Sequence, residues 1–268
     1  MTERDRKPIG TRCFKEALTR RGLIGASITF TDPMVTYAIA DSVDFIWIDL
    51  EHSPMSAEAL RNHLVCCQAK NRPALVRTSS SSTAEIKGIL DSGADGIVVP
   101  QVKDPEEVRT IIEACLYTPA GQRGVGPRVP SNFGRISCGD LIQQENRRVF
   151  VAVMIENRSA VDNLDGILAL DSLDAVVIGP MDLSCSIGLP GQAQNPEVDK
   201  IISKVILRAH KSGKTAGIGL EADTQTAEKY LRMGIDWIQF GCDFSYMVSF
   251  LEERLSALRE FGGKRGER

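Results

Sequence analysis

An α/β fold of the closed (β/α)8 type, a TIM barrel, is what the sequence predicts, and three observations carry the prediction. Eight short, continuously apolar, β-branched runs recur along 268 residues, and helical patterns separate them. Strands buried on both faces read this way, and strict strand–helix alternation leaves a closed barrel or an open doubly wound sheet. No GxGxxG follows the first run, which removes the main support for the open nucleotide-binding sheet. The length is also that of a typical eight-fold barrel.

The elements follow in order. Residues 23–29 and 45–49 form the first two strands, and a helical pattern spans 58–68. The third strand, 74–77, ends in Arg77 and leads through Thr78 and the run Ser79 to Ser82, read as a solvated loop and cap. A helix over 84–91 precedes the fourth strand, 96–100. Pro105-Glu106-Glu107 opens a helix whose Val108, Ile111, Ile112 and Cys115 share one face. Residues 118–148 are too long for a simple connection and rich in Gly and Pro; they predict an ordered loop with a short helix near 139–146. Next to the fifth strand, 150–155, that loop is expected to form a lid or substrate wall at the mouth. Strands 175–178, 215–219 and 237–240 complete the eight, with helices over 159–170, 225–233 and 246–258. Val198, Ile201, Ile202, Val205 and Ala209 mark one further amphipathic helix. The reading is one barrel domain over residues 1–268, with an N-terminal extension at 1–13 and a frayed basic tail at 262–268.

Composition excludes several classes. Charged residues make up 25% and hydrophobic ones 43%, an ordinary globular balance, and a net charge of −3 gives no reason to expect nucleic acid as partner. Seven cysteines with no CxxC spacing fit reduced thiols and a cytoplasmic location. The charged N-terminus is not a secretory signal, and no apolar run approaches the roughly 20 residues that span a bilayer.

Two apolar strands exit into single carboxylates: Val151 to Ile155 into Glu156, and Ala175 to Ile178 through Gly179-Pro180-Met181 into Asp182. A charge at the exit of a buried strand is costly unless something binds it, and barrel chemistry is built at strand exits. Two such carboxylates can hold a hard divalent ion while leaving positions for a substrate's own oxygens. The second strand ends in Asp49-Leu50-Glu51-His52, which puts a histidine, the side chain suited to proton exchange near neutral pH, at the mouth. His63 and His210 fall inside helical patterns and are expected to be solvated. Arg77 can bind a carboxylate or neutralise an oxyanion, or simply pair with Asp49 or Glu51. By spacing, Asp91 is a helix-end residue, and 121–126 (GQRGVG) is an anion cradle or a glycine turn. No GxSxG elbow supports a serine nucleophile, and neither Lys103 nor Lys214 is well placed for a Schiff base.

Asp49-Leu50-Glu51-His52, Arg77, the RGVG of 123–126, Ile155-Glu156 and the IGPxDLS of 178–184 together resemble the HpcH/HpaI aldolase family, over roughly residues 22–258. The resemblance implies a (β/α)8 barrel of the pyruvate/phosphoenolpyruvate superfamily type and a divalent ion, Mg²⁺, Mn²⁺ or Co²⁺. It makes Glu156 and Asp182 the metal ligands, His52 the general base, and Arg77 the group that stabilises the transition state. It also makes Asp91 the acid that raises the histidine's basicity, against the reading from spacing, and places the pyruvate carboxylate at the backbone of Gly179, Pro180, Met181 and Asp182. A homo-oligomer, hexamer or trimer, with an exchanged last helix is implied as well. Met154 stands where several members have a substrate-contacting glutamine, and it cannot donate those hydrogen bonds. The expected reaction is reversible cleavage of a 4-hydroxy-2-oxo acid to pyruvate and an aldehyde. Rivals are oxaloacetate decarboxylation or macrophomate synthase-like bond formation, a phosphate-binding isomerase, and a non-catalytic barrel. The acid Asp243 at the eighth exit speaks against the isomerase.

Overall fold

The computed structural model describes residues 13–18 and 22–263; most of the expected extension (1–12) and of the expected tail (264–268) lie outside the described residues. Eight parallel strands close in sequence order: β1 (Leu23–Ile28), β2 (Phe45–Asp49), β3 (Ala74–Arg77), β4 (Gly96–Val99), β5 (Phe150–Ile155), β6 (Ala175–Ile178), β7 (Thr215–Leu220) and β8 (Trp237–Cys242), with β8 pairing back onto β1. The helices are α1 (Phe14–Ala17), α2 (Pro33–Ile39), α3 (Ala57–Ala69), α4 (Thr83–Asp91), α5 (Pro105–Cys115) and α6 (Cys138–Arg148). They continue as α7 (Arg158–Asp162), α8 (Leu164–Leu168), α9 (Pro180–Ser186), α10 (Pro196–Lys211), α11 (Thr224–Met233) and α12 (Asp243–Gly263).

Three helices escaped the sequence pattern. α1, α2 and α9 have at most seven residues, too few for a 3.6-residue period to repeat. The expected helix over 159–170 is two, broken at Asn163. Gly262 and Gly263, expected in the tail, end α12.

Alternate strand residues point inward, as the pleat requires. Phe45 and Trp47 on β2, Phe150, Ala152 and Met154 on β5, and Ala175 and Val177 on β6 fill the barrel. The outward set packs against the helices as a second, larger core. At the N-terminal end of the strands, Phe14 from α1 sits edge-on against Phe45, Phe150 and Trp237, with ring centroids 5.0, 4.7 and 5.5 Å away. Gly25 and Gly217 make room for this plug, since a Cβ there would collide with the Phe45 and Trp237 rings.

The long 118–137 segment is not a lid over the mouth. It follows α5, which returns the chain to the N-terminal end of the barrel, so it covers the floor. There Arg123 is buried and pairs with Asp91 (2.7 Å) and Glu145 (3.3 Å). Arg148 joins Glu145 to Asp95. The RGVG turn is therefore a structural ion-pair anchor, not an anion cradle. His63 is not solvated either: it is fully buried, and its Nδ1 meets Thr36 Oγ1 at 2.7 Å. Burial lowers its pKa. His210 is partly exposed and reaches Asp236 at 2.8 Å.

Candidate active site

The inward period carries charge to the C-terminal rim. Asp49 ends β2 beside Arg77, which ends β3, and the two are direct register partners. Arg77 Nε and Nη2 donate to Asp49 Oδ1 and Oδ2 at 2.9 and 2.7 Å. Its Nη1 lies 2.9 Å from Glu51 Oε2. Both ion-pair partners weighed for Arg77 are thus real, yet a guanidinium has five N–H donors and these bonds use three. Burial works against charging Arg77, but the Asp49 and Glu51 carboxylates overcome it and raise its pKa. Two donors remain for a ligand on a cation that cannot lose its proton.

Asp49 also shapes the next turn. Its Oδ1 accepts from the backbone N–H of Glu51 (3.0 Å) and His52 (3.4 Å). The His52 side chain is 66% exposed at the mouth, with Nε2 3.9 Å from Glu51 Oε2. Burial raises the pKa of Glu51, opposed by Arg77 and His52.

Glu156 leaves β5 with only 1% of its surface exposed. Its Oε1 accepts from the backbone N–H of Gln101 at 2.7 Å, and Gln101 adopts a left-handed φ of 57° to present that N–H. Its Oε2 has no hydrogen-bond partner. Gly179 makes this possible, because a Cβ there would come within 2.5 Å of that oxygen. Burial is the main reason the Glu156 pKa is pushed up to about 7; the Gln101 bond opposes it, and the charges of Glu51 and Asp182 add to it. Asp182 stands in the first turn of α9, on the wall of the same mouth as His52, Arg77, Pro180 and Met181.

These residues suit a divalent cation. A buried anionic oxygen without a donor is costly, and a neighbouring carboxylate makes it worse until a cation arrives. Among the described residues no group of three His, Cys, Asp or Glu could hold a metal, so further ligands would be water or substrate oxygens, as hard cations accept.

The structure brings together His52, Arg77, Gly179, Pro180, Met181, Asp182 and Glu156. Within one chain it does not bring Asp91 to them. Asp91 is the last residue of α4, which carries the chain away from the mouth, and its carboxylate is taken by Arg123. Sequence reasoning missed the Gln101 backbone donor, which only the φ reveals, and Gln239, whose signal was a lone polar side chain within the β8 run WIQF. Asp243 is 2% exposed and consumed by the N–H groups of Thr29 and Phe30 (2.8 and 2.9 Å), which seam β8 to β1.

The family model for HpcH/HpaI aldolase/citrate lyase matches residues 29–249. The chain belongs to that family. A 2-keto-3-deoxy-L-rhamnonate aldolase of Salmonella typhi is 35% identical over 250 residues, covering 92% of each chain. The HpcH/HpaI aldolase of Desulfitobacterium hafniense DCB-2 superposes with a TM-score of 0.87 at 25% identity, covering 92% of this chain and 96% of its own. Citrate synthase SbnG does so with a TM-score of 0.85 at 27% identity, covering 94% and 100%. This HpcH/HpaI protein is a (β/α)8 barrel and a carbon–carbon lyase acting on small molecules, in a family of divalent-metal-dependent aldolases. No helix among the described residues is long and apolar enough to cross a membrane.

Proposed function

We propose that the chain cleaves a 4-hydroxy-2-oxo acid reversibly to pyruvate and an aldehyde. The observation that carries the reading is the orphaned, buried Glu156 Oε2 beside Asp182, with Arg77 two donors short of saturation at the same mouth. Glu156 and Asp182 would hold Mg²⁺, Mn²⁺ or Co²⁺. When bound, such an ion supplies Lewis-acid stabilisation of oxygen charge worth several kcal/mol.

The residues do the rest. His52 takes the proton of the C4 hydroxyl as the C3–C4 bond breaks, so C4 leaves as the aldehyde. The bond's electron pair passes to C3 and the keto oxygen, giving the pyruvate enolate. The two remaining Arg77 N–H groups face that developing oxygen charge. The backbone of Gly179 to Asp182 takes the pyruvate carboxylate. A proton returned to C3 completes pyruvate and balances the reaction. Loss of Asp182 in Asp182→Ala costs more than His52→Ala, for which a lost general base predicts about 10² to 10⁴ in rate. Pyruvate release from a 4-hydroxy-2-oxo acid, with and without metal, measures both; wild-type rates in either variant would sink the assignment.

The likeness to a citrate synthase favours a second reading, use of the same enolate in bond formation or oxaloacetate decarboxylation. CO₂ release without any aldehyde distinguishes it. The proposed location is the cytoplasm and the proposed state a homo-oligomer, hexamer or trimer. α12 supports the latter: Phe244, Met247, Val248 and Leu251 share one helical stripe and are all about half exposed.

A further inference from the structure

The mouth is electrostatically lopsided. Charged groups crowd the exits of β2, β3, β5 and β6, where Asp49, Arg77, Glu156 and Asp182 stand. The opposite arc, β7, β8 and β1, carries none in its inward positions. Gly219 faces inward on β7, Gln239 on β8 and Ser27 on β1, and all three line one cavity of about 910 Å³ with Asp182 and Arg77. That volume far exceeds what a three-carbon oxo acid fills, and it lies in the range of drug-sized ligand sites.

We propose that this neutral arc receives the aldehyde portion of the substrate, and that it selects an uncharged, hydroxylated aldehyde over one bearing a carboxylate. The proposal rests on the aldolase reading above and adds the class of aldehyde. Gln239 Nε2 donates to Gly241 O at 2.5 Å, which fixes the carboxamide and leaves its oxygen as an acceptor for a substrate hydroxyl. Gly219 keeps that oxygen uncovered, since a Cβ there would come 3.1 Å from Oε1. Ser27 adds a hydroxyl that can donate or accept.

Anions are excluded by the rim. Glu221 and Asp223 line the outer cavity where β7 passes into α11. Asp223 caps α11 by accepting from Gln225 and Thr226 N–H, and Glu221 is exposed. Apart from His52, Arg77 is the only basic side chain among the described residues that line the cavity, and it is bound to Asp49 and Glu51 on the far arc. A carboxylate at the end of an aldehyde would meet two acids and no cation. Selectivity of this kind comes from the repulsive element as much as from the attractive one.

The test is aldol addition of pyruvate to glyceraldehyde, propanal and succinic semialdehyde, in the metal-loaded wild type, Gln239→Leu and Glu221→Lys. Oxaloacetate decarboxylation is followed alongside, because it makes the enolate without an aldehyde. In the wild type, kcat/KM for glyceraldehyde should exceed that for succinic semialdehyde by about 100-fold, the size expected when a like charge and a lost hydrogen bond act together. Gln239→Leu should shrink the glyceraldehyde-to-propanal ratio by about tenfold, the upper value of a net hydrogen bond. Glu221→Lys, a surface change that folding tolerates, should raise succinic semialdehyde relative to glyceraldehyde. Decarboxylation with equal or better use of succinic semialdehyde by the wild type overturns this proposal alone. So do aldehyde ratios unmoved in both variants. Absence of enolate chemistry from the folded wild type overturns the aldolase reading and this proposal with it.

Discussion

Replacing Glu156 by glutamine isolates the energetic cost of an unbound metal site. Glu156→Gln keeps an oxygen for the Gln101 N–H and removes the ionisable group. In the folded metal-free chain, burial pushes the carboxyl from the usual 4.5 to about 7. Between those values the folded state holds a proton that the unfolded state has released. The stability contributed is therefore complete below about pH 4.5 and is lost as pH rises to about 7 and beyond. At about 1.4 kcal/mol per pKa unit, the whole displacement is worth about 3 kcal/mol. Denaturant melts of both proteins in a chelator, at pH 5, 6, 7 and 8, should show the variant gaining about 2 to 3 kcal/mol on the wild type across the series. Titrating groups remote from Glu156 cancel in that difference, and the coupling of Glu156 to the neighbouring Glu51 and Asp182 carboxylates remains in it. Adding Mg²⁺ or Mn²⁺ should reverse the order, stabilising the wild type most at pH 8 and the variant hardly at all. Parallel pH–stability curves would refute the reasoning, since Glu156 would then titrate alike in both states.

Other substitutions probe other parts of the molecule. Gly217→Ala pushes a Cβ into the Trp237 ring and should cost about 1 to 3 kcal/mol by overpacking, read as a lower urea midpoint. Asp91→Asn leaves buried Arg123 with Glu145 as its remaining carboxylate partner and should destabilise by about 1 to 3 kcal/mol; an unchanged melting temperature would mean that the floor network is redundant. Leu251→Glu places a charge in the exposed apolar stripe of α12. Light scattering should show a smaller particle than the wild type, whereas an unchanged mass would exclude that stripe from the interface.

The barrel was legible because parallel strands buried on both faces leave an uninterrupted apolar signature, and all eight runs became strands within two residues of their expected ends. That His52, Arg77, Glu156 and Asp182 stand at one end of the barrel was legible because each lies at a strand end or in the turn that follows it. Where the structure differs from the sequence reading, the causes are physical. The 118–137 loop was assigned to the mouth on its length and its proximity to Glu156 in sequence. Direction decides instead, because a segment that follows a returning helix emerges at the floor. Asp91 was placed at the site by its motif; within one chain its helix end lies away from the mouth and its carboxylate meets Arg123. His63 looked solvated because a helical pattern alone does not say which face α2 covers. The Gln101 donor depends on a backbone angle that composition cannot show.

The aromatic floor ties together the earliest and latest parts of the barrel to be synthesised. Phe14 precedes the first strand and Trp237 opens the last, yet their rings meet edge-on. At the other end, the carboxylate of Asp243 stitches the exit of β1 to that of β8. A nascent barrel therefore waits, with the Phe14 cluster incomplete and one edge of β1 unpaired, until β8 has been made. Contacts so distant in sequence form slowly, because loop-closure entropy is spent before they stabilise anything. Premature termination anywhere before β8 would leave an open sheet with two raw edges, a template for aggregation rather than a smaller working enzyme.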